Sequence, residues 1–305
     1  MPYESIFRAG LFAGQTHLVT GGGSGIGRCT AHELSHLGAT VALVGRRAEK
    51  LDAVRAEIED AGGRAFVFPG DHRDEETVRG IVRATLEATG RIDGLVNNAG
   101  GQFAAPLAGI SKKGWDAVVA NNLTGGFLCA RECYTQWMAE HGGAIVNMVA
   151  DMWGSMVGMG HSGAARAGMV SFTETAAVEW APSGVRVNAV APGSIASSGF
   201  DTYPDWMQPH LASAHSGIPA SRLGTESEVS AAICFLLSPA AGFISGSVLR
   251  VDGAAPNARL VSPLSALRDR SAPLPMAWPL DIHERSVPFH GFHLGRRIHR
   301  WGQSK

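Results

Sequence analysis

Thr16–Thr20 reads THLVT, and the next eight residues, 21–28, read GGGSGIGR. The first string is a short apolar run with β-branched residues, so it predicts a buried strand. The second opens a helix predicted over 25–37. Gly21, Gly25 and Gly27 fall between them in the spacing Gly-x3-Gly-x-Gly, with Ser24 and Ile26 inside the turn. Glycines here permit a tight turn and let the backbone approach a pyrophosphate. The helix N-terminus adds unpaired N–H groups and the positive end of a dipole. Any strand–helix turn can carry glycine, so the position directly after the first strand is what gives this run its meaning.

The same alternation continues along the chain. Strands are predicted over 40–44, 64–68, 94–96, 144–148, 185–190 and 247–251. Helices are predicted over 48–61, 74–89, 112–140, 162–180 and 226–237. This order implies an α/β fold, a doubly wound, Rossmann-type parallel sheet of seven strands with helices on both faces. Ligands then bind outside the carboxyl ends of the strands. We expect a single domain over 1–253. A stretch over 194–219, rich in Ser, Pro and aromatics and without a period, reads as a lid. The region 254–305, with its prolines, histidines and arginines, reads as a C-terminal extension, either an arm on a partner subunit or a disordered tail.

The 305 residues are 45% hydrophobic and 17% charged, enough apolar material for a large core. A formal net charge of −1 gives no basic excess of the kind nucleic-acid binding needs. An acyl-CoA substrate would need only a local basic patch. Cys29, Cys129, Cys133 and Cys234 form no CxxC pair and read as small core residues in a reduced, cytoplasmic protein, with no metal site expected. No apolar run approaches the ~20 residues that span a bilayer, and no secretory signal is seen.

The second strand ends at Gly45, followed by Arg46 and Arg47. A carboxylate near this point would hold ribose hydroxyls, whereas a guanidinium can pair with a 2′-phosphate. NADP(H) is therefore favoured over NAD(H), unless the arginines are simply solvated residues at a helix start. Asp71, past the third strand, can accept a hydrogen bond from adenine or cap the next helix, as Asp74 can.

The glycine turn resembles that of the short-chain dehydrogenase/reductase family. So do Asn97-Asn98-Ala99-Gly100, Asn122-Leu123-Thr124-Gly125, Val187-Asn188-Ala189-Val190-Ala191-Pro192-Gly193 and Val251-Asp252-Gly253, all in the family's order. The resemblance covers about 14–253. It implies that Asn98, Ala99 and Gly100 sit beside the adenosine. It implies that Asn122 holds a water of the proton relay, that Pro192 and Gly193 begin the loop over the nicotinamide, and that Ile195 and Ser197 contact the carboxamide. Family members form homodimers or homotetramers.

The resemblance has one defect. The family carries a serine just after the fifth strand, then a Tyr-x-x-x-Lys pair on the next helix. Here Ala150 falls on the serine, Ser162 on the tyrosine and Arg166 on the lysine, with the intervening spacing one residue short. A shift of one residue brings His161 to the tyrosine's place. The three tyrosines, Tyr3, Tyr134 and Tyr203, are all distant in sequence. The strings HSGAARAG, NNAGGQF and FLLSPAAGFISG resemble peroxisomal trans-2-enoyl-CoA reductases and bacterial relatives assigned to citronellol catabolism. The peroxisomal members carry a Tyr-x-x-x-Lys pair further along this helix, where this chain has Val170 and Glu174.

Carbonyl reduction needs an acid at the oxygen, and alcohol oxidation needs a base there. In reduction of a conjugated thioester hydride goes to the β-carbon, hydrogen-bond donors can stabilise the enolate and the α-carbon can take its proton from water, so no tyrosine is required. The leading expectation is thus an NADPH-dependent enoyl-CoA-like reductase using Asn122, Ser162 and Arg166. An alcohol dehydrogenase or carbonyl reductase acting on a citronellol- or citronellal-like substrate, with a relay rebuilt on His161 or Asp151, remains open. So does a non-catalytic cofactor-binding protein.

Overall fold

Strand β1, Thr16–Thr20, is buried along its whole length and forms the axis around which the chain winds. The computed structural model describes residues 7–197 and 217–257. Most of the expected lid (198–216) and nearly all of the expected extension (258–305) lie outside the described residues.

β1 is followed by α1 (Gly25–His36), β2 (Thr40–Gly45), α2 (Ala48–Asp60), β3 (Arg64–Pro69), α3 (Glu75–Thr89) and β4 (Gly94–Asn97). The second half runs through α4 (Lys112–Val119), α5 (Gly125–Cys133), α6 (Ala139–His141), β5 (Gly143–Met148), α7 (Gly160–Glu179) and β6 (Val185–Pro192). Then come β7 (Ile195–Ala196), β8 (Gly224–Thr225), α8 (Glu226–Leu237) and β9 (Val248–Val251). Seven strands pair in the order β3-β2-β1-β4-β5-β6-β9, each pair parallel. The order reverses between β1 and β4, so a crevice opens there at the carboxyl edge of the sheet.

The strand period of two divides the core into two layers. Val19, Val41, Leu43 and Val146 face one layer, packed with Leu34 of α1 and Ile233 of α8. Leu18, Ala42, Val44 and Ile145 face the other, packed with Val78 of α3 and Cys129 of α5. All four cysteines are buried and unpaired, as expected of core residues. Among the described residues no helix is long and apolar enough to cross a membrane.

Helix ends follow local chemistry. Asp74 caps α3 by accepting from Thr77 N at 2.8 Å, and Gly90, at φ 74°, closes it. Ser111 caps α4, and Thr225 with Glu228 forms a capping box on α8. The predicted helix over 112–140 is three α-helical pieces joined by π turns at Ala120–Thr124 and Tyr134–Met138. The helix predicted from 162 begins at Gly160, with Met159 as its cap residue. The Met159 carbonyl accepts from Ser162 N and Gly163 N, so Ser162 lies within the first turn and does not cap it. Glycine at the first helical position concealed that start. The β7–β8 pair was not expected, because two-residue strands are too short to show a period.

Candidate active site

The end of β1 and the start of α1 are fastened to the end of β4. The Thr20 hydroxyl donates to Val96 O at 3.2 Å and accepts from Asn98 N and Ala99 N, each at 3.0 Å. Asn98 Nδ2 donates to Thr20 O at 2.9 Å. Gly21 sits at φ 68°, left-handed backbone that favours glycine. A Cβ on Gly27 would stand 2.3 Å from the Gly21 carbonyl oxygen, so no other residue fits. Ser24 is extended and its hydroxyl makes no cap bond to α1. The first-turn N–H groups of α1 have no intrahelical acceptor. This backbone cradle fits the pyrophosphate of a dinucleotide.

At the end of β2, Arg46 is exposed. Asp71 has another partner close by: Arg73 Nε donates to Oδ1 at 2.8 Å and Nη2 to Oδ2 at 2.5 Å. The Arg73 guanidinium holds the Asp71 carboxyl well below the usual carboxylate range. Asp71 therefore presents a fully ionised acceptor at this edge, and helix capping falls to Asp74.

At the other end of the crevice, α7 brings Ser162 and Arg166 onto one face. Arg166 is 7% exposed, and its Nη1 donates to the Met148 carbonyl at the end of β5. Its Nε is buried with no hydrogen-bond partner among the described residues. Burial draws the guanidinium down to about 10, which leaves it charged at neutral pH. Among the described residues no carboxylate forms an ion pair with it. A Cβ on Gly100 would lie 2.7 Å from both Arg166 Nη2 and Asn122 Oδ1, which places the three residues together. The orphaned Nε and the glycine-lined approach fit a hydroxyl-bearing or anionic cofactor group.

Asn122, in the π turn, is buried. Its Nδ2 donates to Gly101 O at 2.7 Å and Val118 O at 2.9 Å, and its Oδ1 accepts from Gly101 N at 3.1 Å. It therefore grips the segment after Gly100. Ser162 is fully buried and donates to Gln102 Oε1 at 2.8 Å. Sequence reasoning missed Gln102. It lies within the string NNAGGQF, yet nothing local marks it as a partner of a residue on α7. The buried chain from Asn97 through Asn147 to Thr173 was missed as well, although asparagine inside a strand is a legible signal.

His161 is also fully buried, not facing solvent. Its ring packs edge-on against Phe103 at 4.5 Å, and neither ring nitrogen has a hydrogen-bond partner among the described residues. Asp151 is half-buried, and burial, reinforced by Asp252, raises its carboxyl. Gly193 N donates to Val251 O at 2.9 Å, Asp151 N to Pro192 O at 3.2 Å, and Ser197 ends the described loop. The Ile195 side chain belongs to the core. Tyr134 bonds Ser183 at 3.0 Å, just before β6 begins, at the opposite edge of the sheet.

The doubly wound parallel sheet agrees with the matches found for this sequence. A family model described as enoyl-(acyl carrier protein) reductase matches residues 21–254. The chain belongs to the short-chain dehydrogenase/reductase family and is an oxidoreductase. It is 58% identical to the citronellol catabolism dehydrogenase AtuB of Pseudomonas aeruginosa PAO1, with a TM-score of 0.75, over 83% of this chain and 99% of that one. It is 37% identical to the peroxisomal 2,4-dienoyl-CoA reductase, (3E)-enoyl-CoA-producing, of Danio rerio, over 83% of this chain and 85% of that protein. A structure named as an NAD(P)-dependent gluconate 5-dehydrogenase from Beutenbergia cavernae, with NADP bound, is 34% identical with a TM-score of 0.76. That match covers 82% of this chain and 100% of the other.

Proposed function

We propose that this chain is an NADPH-dependent reductase of conjugated enoyl thioesters of the enoyl-CoA kind, working in the cytoplasm without a catalytic tyrosine. The observation that carries this reading is Ser162: the family's acid–base position holds a buried hydroxyl bonded to a neutral amide. Such a group serves as a hydrogen-bond donor and is a poor acid. The dienoyl-CoA reductase among the relatives supports the substrate class.

In this reading Gly21, Ser24, Gly25, Ile26 and Gly27 hold the pyrophosphate, and Arg46 meets the 2′-phosphate. Asp71, Asn98, Ala99 and Gly100 line the adenosine side. Arg166 meets the ribose, and Pro192, Gly193, Ile195 and Ser197 flank the carboxamide. A nicotinamide held there supplies hydride. As the β-carbon of the thioester gains a C–H bond, the displaced π electrons collect on the thioester oxygen. Ser162, freed from Gln102, donates to that oxygen, and the nearby Arg166 charge favours the enolate. Collapse of the enolate takes a proton from water at the α-carbon. Asn122 keeps the Gly101 segment in place throughout.

A second reading rests on His161. A buried imidazole with two unpartnered nitrogens beside Ser162 suits a proton relay, and the 58% identity to AtuB favours an alcohol or aldehyde substrate. One panel decides. NADPH oxidation is followed with crotonyl-CoA, longer enoyl- and dienoyl-CoAs and citronellal, and NADP reduction with citronellol. Turnover of the thioesters supports the first reading; turnover of citronellal or citronellol alone replaces it with the second. The homo-oligomer is part of the same proposal, since Trp115, Phe127 and Val178 leave apolar surface exposed on α4, α5 and α7. A monomer in sedimentation at micromolar concentration would count against that assembly.

A further inference from the structure

His72 stands on the β3–α3 connection, far in sequence from every residue of the reacting face. It is nevertheless buried, and its Nε2 lies 3.0 Å from the Asn121 carbonyl oxygen. A carbonyl only accepts, so the ring proton is on Nε2 and His72 is the donor. Burial lowers the imidazole from its ordinary pKa and so favours the neutral ring, while the bond is donated from Nε2 in either protonation state. Its Nδ1 faces Asp71 at 4.0 Å. A Cβ on Gly125 would stand 2.3 Å from the ring, so glycine at that position is what lets His72 reach the turn.

The acceptor lies in the π turn Ala120–Thr124. A π turn shifts the backbone hydrogen-bond register and is a rare, local departure from the α-helix. The next residue in the turn is Asn122, which makes its two-way amide pair with Gly101. Gly101 is followed by Gln102, which accepts from Ser162. Three hydrogen-bonded contacts, joined by adjacent backbone at Asn121–Asn122 and Gly101–Gln102, therefore link His72 through the π turn to the hydroxyl on α7.

We propose that His72 is a positioning residue: its bond to the Asn121 carbonyl sets the π turn, hence Asn122, and hence the placement of the Gln102–Ser162 pair. The proposal rests on the reading of that α7 face as the reacting site. It makes His72 the point at which the adenosine edge and the reacting face share one rigid element.

The test compares His72→Leu, His72→Gln and Gly125→Ala with the parent protein. Leucine removes the donor, glutamine offers an amide donor in its place, and alanine at 125 displaces the ring while leaving it intact. Amide hydrogen exchange is read over 99–104, together with NADPH affinity by fluorescence titration and turnover of crotonyl-CoA. His72→Leu and Gly125→Ala should raise exchange over 99–104 about tenfold. They should lower kcat about tenfold while NADPH affinity changes by less than about twofold. His72→Gln should recover most of both. If His72→Leu does not fold, Gly125→Ala against the parent carries the comparison. Unchanged exchange over 99–104, or a rise spread evenly over the whole chain, overturns the proposal. Absence of crotonyl-CoA turnover in the parent protein would reject the enoyl-thioester reading instead, and the exchange measurement would still decide the role of His72.

Discussion

The Ser162 hydroxyl gives its single proton to Gln102 Oε1 across 2.8 Å, joining the first turn of α7 to the segment after β4. A hydroxyl has one donor and two acceptor sites. With its proton committed to Gln102, Ser162 offers only lone pairs to the crevice. In the proposed reaction it would become a donor toward a substrate oxygen once that proton is redirected, either by rotation of the hydroxyl or by turning over the Gln102 amide. An anionic oxygen attracts the proton more strongly than a neutral amide does. In the proposed reaction the interaction would therefore strengthen as charge develops on the substrate.

Ser162→Ala should lower turnover of an enoyl thioester by about 100-fold or more, the scale for removing one oxyanion donor. NADPH affinity should stay the same, because the lost interaction belongs to the transition state. Steady-state kinetics with a parallel titration of cofactor checks both halves. Undiminished kcat would transfer the chemistry to His161 or Asp151.

Arg46 is exposed where β2 ends, with no carboxylate at Gly45 to repel a 2′-phosphate. Arg46→Ala should weaken NADPH by about tenfold, the scale of a hydrogen bond to a charged group. NADH binding should barely change. Calorimetric titration with both cofactors measures the difference. Tighter binding of NADH than NADPH by the parent protein would reject the preference outright.

Gly27→Ala places a Cβ 2.3 Å from the Gly21 carbonyl oxygen and 2.5 Å from Asn98 Nδ2. The first neighbour is backbone and cannot swing aside. We expect a stability loss of about 1–3 kcal/mol and loss of cofactor binding, because the whole phosphate turn must shift. Thermal melts with and without NADPH read this out: the variant's midpoint should no longer rise on adding cofactor.

His17 is fully buried in β1, and burial lowers its imidazole from an ordinary 6.5 to about 4, with Asp93 opposing. The folded state thus holds it neutral, while the unfolded chain takes up a proton near pH 6.5. Its contribution is fully present above pH 6.5 and is lost as pH falls toward 4, amounting to about 3 kcal/mol when complete. Urea unfolding at a series of pH values should show this fall in the parent protein. His17→Gln should flatten it. Parallel curves for the two proteins would contradict the assignment.

Much of this fold was legible locally. The turn at 21–28 announced itself because glycine spacing, strand and helix start are all short-range features. The strand predicted over 16–20 has its predicted bounds, and the order of strands and helices followed from apolar periods of two and 3.6. The positions of Ser162, Arg166 and Asn122 on their helices could be read as well, since residues four apart share a helix face. What those side chains bond to could not. Ser162 meets Gln102 across 60 residues, His72 meets Asn121 across 49, and Arg166 meets the Met148 carbonyl across 18. No period or spacing encodes such pairs, because the parallel crossovers that bring them together are set by packing of whole layers. The sequence by itself determined the sheet, the phosphate turn and the absence of tyrosine from the α7 face. Only the tertiary structure decided that the serine there is tied to an amide, and that a histidine from the β3–α3 connection hydrogen-bonds the turn whose Asn122 grips that amide's segment.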